Sequence, residues 1–550
     1  MKFIYQLVLC TTFISFAFNP ELSAKKCGCK SNSADYIVVG VGTAGAVVAK
    51  RLSDDCNTSV IALHIGKDLT DDPLIKFSEG AVITVPAALV GPPLYENGET
   101  TPQSDADNRL LPWAFAIPEG GASSVNAGAY CLGTKGLYAQ WEAIAGPNWS
   151  VNRILRLFKK LETYVGKTTD PKARGRHGPL NVRQVPVPSQ VGIKFTKAMV
   201  TATGVPQVLD YNVVNNYVCS QVQYTQRGKR GQFRVNSVDA FLNEDVVTPN
   251  GKGVGKRKLR ILFESTALRT IWEGNKAIGV EYLNNGKIHK VFAKKGVVVC
   301  CGLMSSPFLL HSGIGSKALL ESLGIPVVFD NPNVGQGLAD QPGLRLFYSS
   351  NPFDTPDEFI GLFANIASLP RPGGDPNTRE IRLASINVFP GLTLLTVDLL
   401  QPLSRGFVTI NSADPLTAPI VNLGVLSSPD DLELYREALQ IYVKNMNQQL
   451  QLADPSYHML FPNPAVLDDP VMTIDFIKEY VGSNLHYQSH CRMAALDNGG
   501  VVDGNGQVYG ASNLYIADDS IVPQCMDGSP MAFAYLIGAN IADIIIKNQR

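Results

Sequence analysis

An excess of charge of either sign is absent from this chain. Its 550 residues carry 48 Lys plus Arg against 48 Asp plus Glu, a formal net charge of zero. Nothing in that balance favours nucleic acid or an anionic surface as a partner. Long apolar runs are absent after the first 18 residues, so no later segment is expected to span a membrane. Internal repeats and low-complexity tracts are absent too, which excludes a solenoid. Histidine is scarce, at 7 residues, and this narrows the search for a proton-transfer group. A disulfide framework is also missing. Cys56, Cys131, Cys219, Cys300, Cys301, Cys491 and Cys525 are scattered and read mostly as buried thiols. Cys27-Gly28-Cys29 has no two further ligands nearby, so no metal site is expected.

The length suffices for a large core and suggests two or more domains. A hydrophobic fraction of 45% is that of a soluble globular protein. The N-terminus stands apart. Lys2, the apolar run Phe3 to Phe18, and Leu22-Ser23-Ala24 have the layout of a secretory signal peptide. Cleavage is expected after Ala24, with a secreted or periplasmic product and no stable membrane insertion afterwards. Asn57-Thr58-Ser59 and Asn148-Trp149-Ser150 fit the glycosylation pattern, which matters in a eukaryotic host.

What the chain has, from Asp35 onward, is a strand that turns on glycines into a helix. Tyr36 to Val39 is a short apolar run suited to a strand covered on both faces. Gly40, Gly42 and Gly45 follow with G-x-G-x-x-G spacing, and Thr43 and Ala44 open a helical pattern that runs to Leu52. The first glycine allows a tight turn, the second lets backbone approach phosphate, and the third lets the helix pack close to the strand. The free N–H groups of the helix start then face an anion, so the unit reads as dinucleotide-binding. An acidic residue for the ribose is expected about 20 residues further on. The second strand, Ser59 to Leu63, ends instead in His64, with Asp68 a short turn beyond. A neutral imidazole can accept one hydrogen bond where a carboxylate takes two hydroxyls. His64 therefore reads either as a weak ribose partner or as a strand-end residue without a ligand.

Further along, residues 25–34 read as a linker and Leu69 to Asn108 as surface excursions rich in Pro, Gly and Asp. Gly120-Gly121-Ala122-Ser123-Ser124-Val125-Asn126 is a small-residue cluster suited to close backbone approach. Val151 to Tyr164 is amphipathic through Ile154, Leu155, Phe158 and Leu161. Leu259–Phe263, Leu268–Trp272, Ala277–Tyr282 and Lys287–Ala293 read as a small antiparallel excursion, and Gly296–Gly302 as another buried strand. Ser305 and Pro307 mark the start of a helix. Pro370 to Asp375 reads as a loop, Ile381–Val388 and Leu392–Val397 as sheet, and Asp430–Leu450 as a long helix.

These segments, in this order, resemble the glucose–methanol–choline (GMC) flavin oxidoreductases from Asp35 to about Lys547. Gly40 to Gly45 with Ala49-Lys50-Arg51-Leu52-Ser53 is similar to the family's opening, and Gly120 to Asn126 to its flavin motif. Cys301 to Gly315 is close to its second signature, and Asn333-Val334-Gly335-Gln336-Gly337-Leu338-Ala339-Asp340 to its N-V-G-x-x-L-x-D. Ser404-Arg405-Gly406, His486 to Met493, and Ala517-Asp518-Asp519-Ser520-Ile521-Val522-Pro523 complete the likeness. The resemblance implies an α/β fold, α+β overall. A Rossmann-type FAD-binding domain (35–195, 256–341 and a C-terminal segment 481–550) is joined to a substrate domain with an antiparallel sheet (196–255 and 342–480). It implies non-covalent FAD held at Gly40, Gly42, Thr43, Ala44 and Gly45. His64 stands at the ribose position, Gly121 and Asn126 near the flavin, Leu268 beside the adenine, and Asp518 at the C-terminal flavin segment. It assigns His486 as the base that takes the proton of a small-molecule alcohol while hydride leaves for the flavin.

Three departures from the family are visible. No His or Asn lies between Pro523 and Ala539 where a second catalytic group is usual; Ser529 or Met531 takes the place, depending on alignment. Ser529 can hydrogen-bond a substrate oxygen, and Met531 cannot do so usefully. Gln341 follows Asp340 where histidine is common, and His490 falls where threonine is common. Three readings therefore stand: an FAD-dependent alcohol oxidoreductase, a degenerate member with weak or no catalysis, and a flavin-containing hydroxynitrile lyase.

Overall fold

The computed structural model describes residues 32–69, 71–85, 91, 93–184, 189–214, 217–354, 363–371 and 379–548. The signal-like residues 1–24, the linker up to residue 31 with Cys27 and Cys29, and positions 372–375 of the expected loop lie outside the described residues.

The run Tyr36–Val39 is buried inside the strand Ser33–Val39, which lies in a seven-stranded sheet. It pairs in parallel with Val60–Leu63 on one side and Lys287–Val299 on the other. Burial on both faces is why these strands are continuous apolar runs. Leu259–Leu262 joins the same sheet in parallel beside Val60–Leu63, which corrects its place in the antiparallel excursion. Its buried residues are Leu259 and Ile261, and both belong to the core under this sheet. The antiparallel excursion is Thr266–Glu273, Lys276–Asn284 and the first part of the following strand, Lys287–Phe292. That strand is one 13-residue element, Lys287–Val299, not two. Its first half pairs antiparallel with the hairpin, and its last three residues pair in parallel with Leu514–Ile516.

A second sheet runs Met459–Phe461, Gly343–Ser349, Leu392–Leu399, Ile381–Phe389, Phe363–Leu369, Val218–Ser220, all antiparallel. Period-2 alternation gives it two unlike faces. Leu344, Leu346, Leu383, Leu395, Val397 and Leu399 pack into a core with Phe195 and Met199 of the helix Gln190–Thr203. Arg345, Arg382, Thr396 and Asp398 fall on the opposite face. The long helix expected over 430–450 is Pro429–Glu437 and Lys444–Ala453 joined by a π-helical stretch, Ala438–Val443.

The amphipathic helix is Val151–Leu161, and it buries Ile154, Leu157, Phe158 and Leu161. The helix Met531–Asn548 is, by length and composition alone, apolar enough to cross a membrane, which corrects the expectation that no later segment is. In this fold 78% of that window is buried. A Cβ on Gly538 would lie 2.6 Å from the Ala44 carbonyl oxygen, so this helix rests directly on Thr43–Leu52.

One buried ion cluster pins the connecting segments. Arg174 donates from Nε and Nη2 to Glu162 at 2.9 Å each, and from Nη1 to Asp210 and Gln223 at 2.9 Å. Its guanidinium lies 3.6 Å from the centre of the Tyr164 ring. Arg174, Glu162 and Asp210 are all at most 2% exposed. Removing the cation leaves two carboxylates buried against each other. Arg174→Met is expected to lose about 3–5 kcal/mol of stability, read as a lower urea midpoint. An unchanged midpoint contradicts the assignment of this cluster as a structural pin.

Candidate active site

Two glycine segments meet edge to edge at the head of the first sheet. Gly40 has φ +93°, and a Cβ there would lie 2.5 Å from the Cys300 carbonyl oxygen. A Cβ on Gly45 would lie 2.0 Å from the Gly40 oxygen, so only glycine lets the helix seat on the strand. Gly121, at φ +56°, brings its Cα against Gly42: a Cβ on it would stand 2.9 Å from the Gly42 Cα. Thr43 ties the two together, donating from Oγ1 to the Gly120 carbonyl (3.3 Å) and accepting from the Ser123 N–H (3.2 Å). Gly42 is the N-cap of Thr43–Leu52, and no side chain caps that helix. The uncapped N–H groups and bare glycine backbone form a cradle suited to a diphosphate.

His64 ends the second strand beside this cradle and is buried. Its ring is hydrogen-bonded to the Ile117 backbone, Nε2 has no partner, and burial lowers its pKa to about 4. It is a neutral imidazole with one unpartnered nitrogen. Ser265 donates its N–H to the His64 carbonyl, which brings the stretch leading to buried Leu268 alongside. Asp68 is exposed; it lies near enough to Glu119 to add to the burial that pushes the Glu119 carboxyl up to about 8. Glu119 is itself buried, with Oε1 unpartnered, next to Gly120. Asp518 is occupied within the protein: it accepts from the Gly302 N–H (3.1 Å), Ser305 Oγ (2.7 Å) and the Ser520 N–H (2.9 Å). Ser305 thus serves Asp518 rather than capping its helix.

Asn126 accepts from the Gly128 N–H (2.9 Å) and donates to the Met531 sulfur (3.3 Å). Behind it stands Arg234, which sequence reasoning missed. It is 3% exposed, and Nη1 donates to the Ser123 and Asn126 carbonyls while Nε and Nη2 have no partner. Burial lowers its pKa to about 10, so it remains a cation at neutral pH. Its only sequence signal was a lone arginine between Phe233 and Val235.

The second centre is a closed ring of hydrogen bonds around His486. Gln341 is wholly buried, and its Nε2 donates to the carbonyls of Leu400 (3.0 Å), Met526 (2.8 Å) and Gly528 (3.1 Å). Those three acceptors fix which end of the amide is nitrogen. Its Oε1 therefore faces His486 Nδ1 at 2.8 Å as an acceptor. The proton of the neutral imidazole sits on Nδ1, and Nε2 carries the free lone pair. Burial first, then Arg382, lowers the His486 pKa to about 3. Asp340 Oδ1 accepts the His486 backbone N–H at 2.8 Å and fixes the segment.

Ser529, next to Gly528, accepts from Arg382 Nη1 at 2.5 Å. Arg382 Nε and Nη2 bond Asp398 Oδ2 at 3.0 and 2.9 Å. Asn484 Nδ2 donates to Asp398 Oδ1 (2.9 Å) and to the Gln341 carbonyl (2.7 Å), which closes the ring. The structure thus brings His486 and Ser529 together through Gln341 and Arg382. Met531 lies with Asn126 instead. His490 is fully buried, with Nδ1 2.7 Å from Ser306 Oγ, outside this ring. Sequence reasoning missed Arg382, Arg345 and Asp398. A signal existed: charged residues at alternate positions in otherwise apolar strands.

The chain is similar to known proteins over nearly its whole length. Two family models, both described as GMC oxidoreductase, match residues 34–343 and 402–538. The chain is 30% identical to an alcohol dehydrogenase [acceptor] of Pseudomonas putida, over 93% of this chain and 96% of that one. It is 27% identical to an oxygen-dependent choline dehydrogenase of Pectobacterium carotovorum subsp. carotovorum, over 94% and 95%. Its fold is similar to that of pyridoxine 4-oxidase from Mesorbium loti, with a TM-score of 0.80 at 24% identity, over 93% and 98%.

The Gln341 contact makes a spectroscopic prediction. Nitrogen-15 spectra of histidine-labelled protein are expected to show His486 as the single Nδ1–H neutral tautomer at neutral pH. Gln341→Met is expected to give a mixture of tautomers. A wild-type ring protonated on Nε2 contradicts the assignment.

Proposed function

Because the chain belongs to the GMC oxidoreductase family, we propose that it oxidises the CH–OH group of a small alcohol with His486 as the base. The family's cofactor is FAD, and the residues present fit it: bare glycine backbone at Gly42 and Gly121, uncapped helix N–H groups, and an unused nitrogen on His64. Bound FAD supplies the acceptor for the hydride that leaves the carbinol carbon. In this reading residues 35–195, 256–341 and 481–550 hold the cofactor, and 196–255 with 342–480 present the substrate face. Export with cleavage after Ala24 belongs to the same proposal and rests on the pattern of the first 24 residues.

The observation that carries the reading is the fixed tautomer of His486. Oxidising an alcohol requires a lone pair aimed at the hydroxyl proton as hydride departs. Gln341 holds that lone pair on Nε2, and Asp340 holds the backbone that presents it. With a pKa lowered to about 3 by burial, the ring is neutral across physiological pH and Nε2 keeps its lone pair. Ser529 accepts from Arg382, so its own proton is available to a substrate oxygen.

Three measurements test this. His486→Ala is expected to slow anaerobic flavin reduction by the best alcohol by about 10²–10⁴-fold with flavin content near wild type. An unchanged rate removes His486 from the mechanism. In wild type, kcat/KM is expected to lack an acid limb between about pH 5 and 8, because protonating the base requires much lower pH. An inflection near the ordinary histidine value contradicts the lowered pKa. The third concerns Glu119, neutral below about pH 8 and adjoining the diphosphate cradle. Its ionisation sets a negative charge beside phosphate, so FAD affinity of the apo-protein is expected to weaken as pH rises past about 8. Glu119→Gln is expected to flatten that dependence; an identical pH dependence in both proteins rejects it.

A further inference from the structure

We propose that the alcohol carries a carboxylate on its carbinol carbon, held by Arg382 with Ser529, so that the substrate is a 2-hydroxy acid. This rests on the oxidoreductase reading above and narrows its substrate. The charge inventory of the ring carries the argument. Asp398, side chain 1% exposed, is shared by two guanidiniums, with Arg382 at 2.9 Å and Arg345 at 3.6 Å. Its remaining acceptor capacity goes to Thr396 Oγ1 (2.8 Å) and Asn484. His486 adds no charge. Asp340, the other acid beside the histidine, accepts two backbone N–H groups at Oδ1, and burial pushes its carboxyl towards the neutral form. On the sheet face that meets His486, one carboxylate, Asp398, thus faces two guanidiniums, Arg382 and Arg345.

Arg382 is 7% exposed, so water screens it little. The bonds to Asp398 and Ser529 use three of the five N–H groups of its guanidinium. The two left over, with the free proton of Ser529, match the donor set that a carboxylate accepts. A neutral alcohol leaves those donors unused, and a cationic one is repelled. A carboxylate on Arg382 places the neighbouring hydroxyl towards His486, which is linked to Ser529 through Gln341 and Gly528. The reaction balances as a two-electron oxidation. The hydroxyl proton goes to His486 Nε2, the carbinol hydride goes to FAD, and the product is the 2-oxo acid.

The test uses the FAD-loaded protein with glycolate and lactate as substrates and oxamate as an unreactive analogue. Ethylene glycol, 1,2-propanediol and choline serve as uncharged and cationic controls. Oxamate is expected to perturb the flavin spectrum and to compete with lactate or glycolate, whose reduction of the flavin outpaces that of the controls. Arg382→Met is expected to weaken oxamate binding by about 10–150-fold, the worth of a charge-assisted bond. The wild-type titration stands on its own if that variant does not fold. If a control alcohol reduces the flavin and no carboxylate binds or competes, the anion proposal is overturned and the oxidoreductase reading stands. If oxamate binds but no alcohol of any class reduces the flavin, the oxidoreductase reading fails and the anion site stands.

Discussion

A single buried amide holds the catalytic side of this molecule in register. The Gln341 side chain contacts four partners on three stretches of chain: Leu400, Met526 with Gly528, and His486. A buried amide with both N–H donors shared among three carbonyls and its oxygen engaged is rigid, because every rotation breaks a bond that water cannot replace. Its orientation therefore propagates. The nitrogen end is fixed by three carbonyls, the oxygen end fixes the histidine proton on Nδ1, and the histidine's other nitrogen keeps its lone pair.

The same economy runs through the sheet beneath it. Arg382 and Asp398 are direct cross-strand partners, and Arg345 sits opposite Thr396. A charged set of this kind is tolerated on one face because the other face presents Leu344, Leu346, Leu383, Leu395, Val397 and Leu399 to an apolar core. The sheet thus separates two solvents, a hydrocarbon core and a polar wall. The cofactor cradle follows another rule. There the fitting residues are those without side chains, and close contact between Gly42 and Gly121 replaces specific bonding.

Much of this was legible in the residues and some was not. The glycine turn, the strand into it and the helix after it were readable because each glycine answers a local steric demand. The position of His486 came through resemblance; its tautomer did not, because it depends on Gln341, 145 residues away. Gln341 itself was visible only as a departure from the family's histidine. Lys287–Val299 read as two strands because Lys294-Lys295 lacks apolar pattern, yet it is one strand whose register against Ser33–Val39 shifts at that point. Leu259–Leu262 read as part of a hairpin because its partner, Val60–Leu63, is remote in sequence. Pairing partners are set by tertiary packing, which local periodicity does not encode. Arg382 and Asp398 are put opposite each other by the register, which single residues do not reveal.

The strand Leu514–Ile516 lies parallel to Val297–Val299, and Ala517 then donates its N–H to the Val299 carbonyl. That neighbour is made more than 200 residues earlier in synthesis. The ribosome therefore releases the nucleotide-binding sheet with a vacant edge, and the vacancy lasts until the chain is nearly finished. An unpaired edge of buried valines is the kind of surface that recruits wrong partners. Contacts of such long sequence separation also form slowly. The quality of folding is then decided by how well that edge is shielded in the meantime.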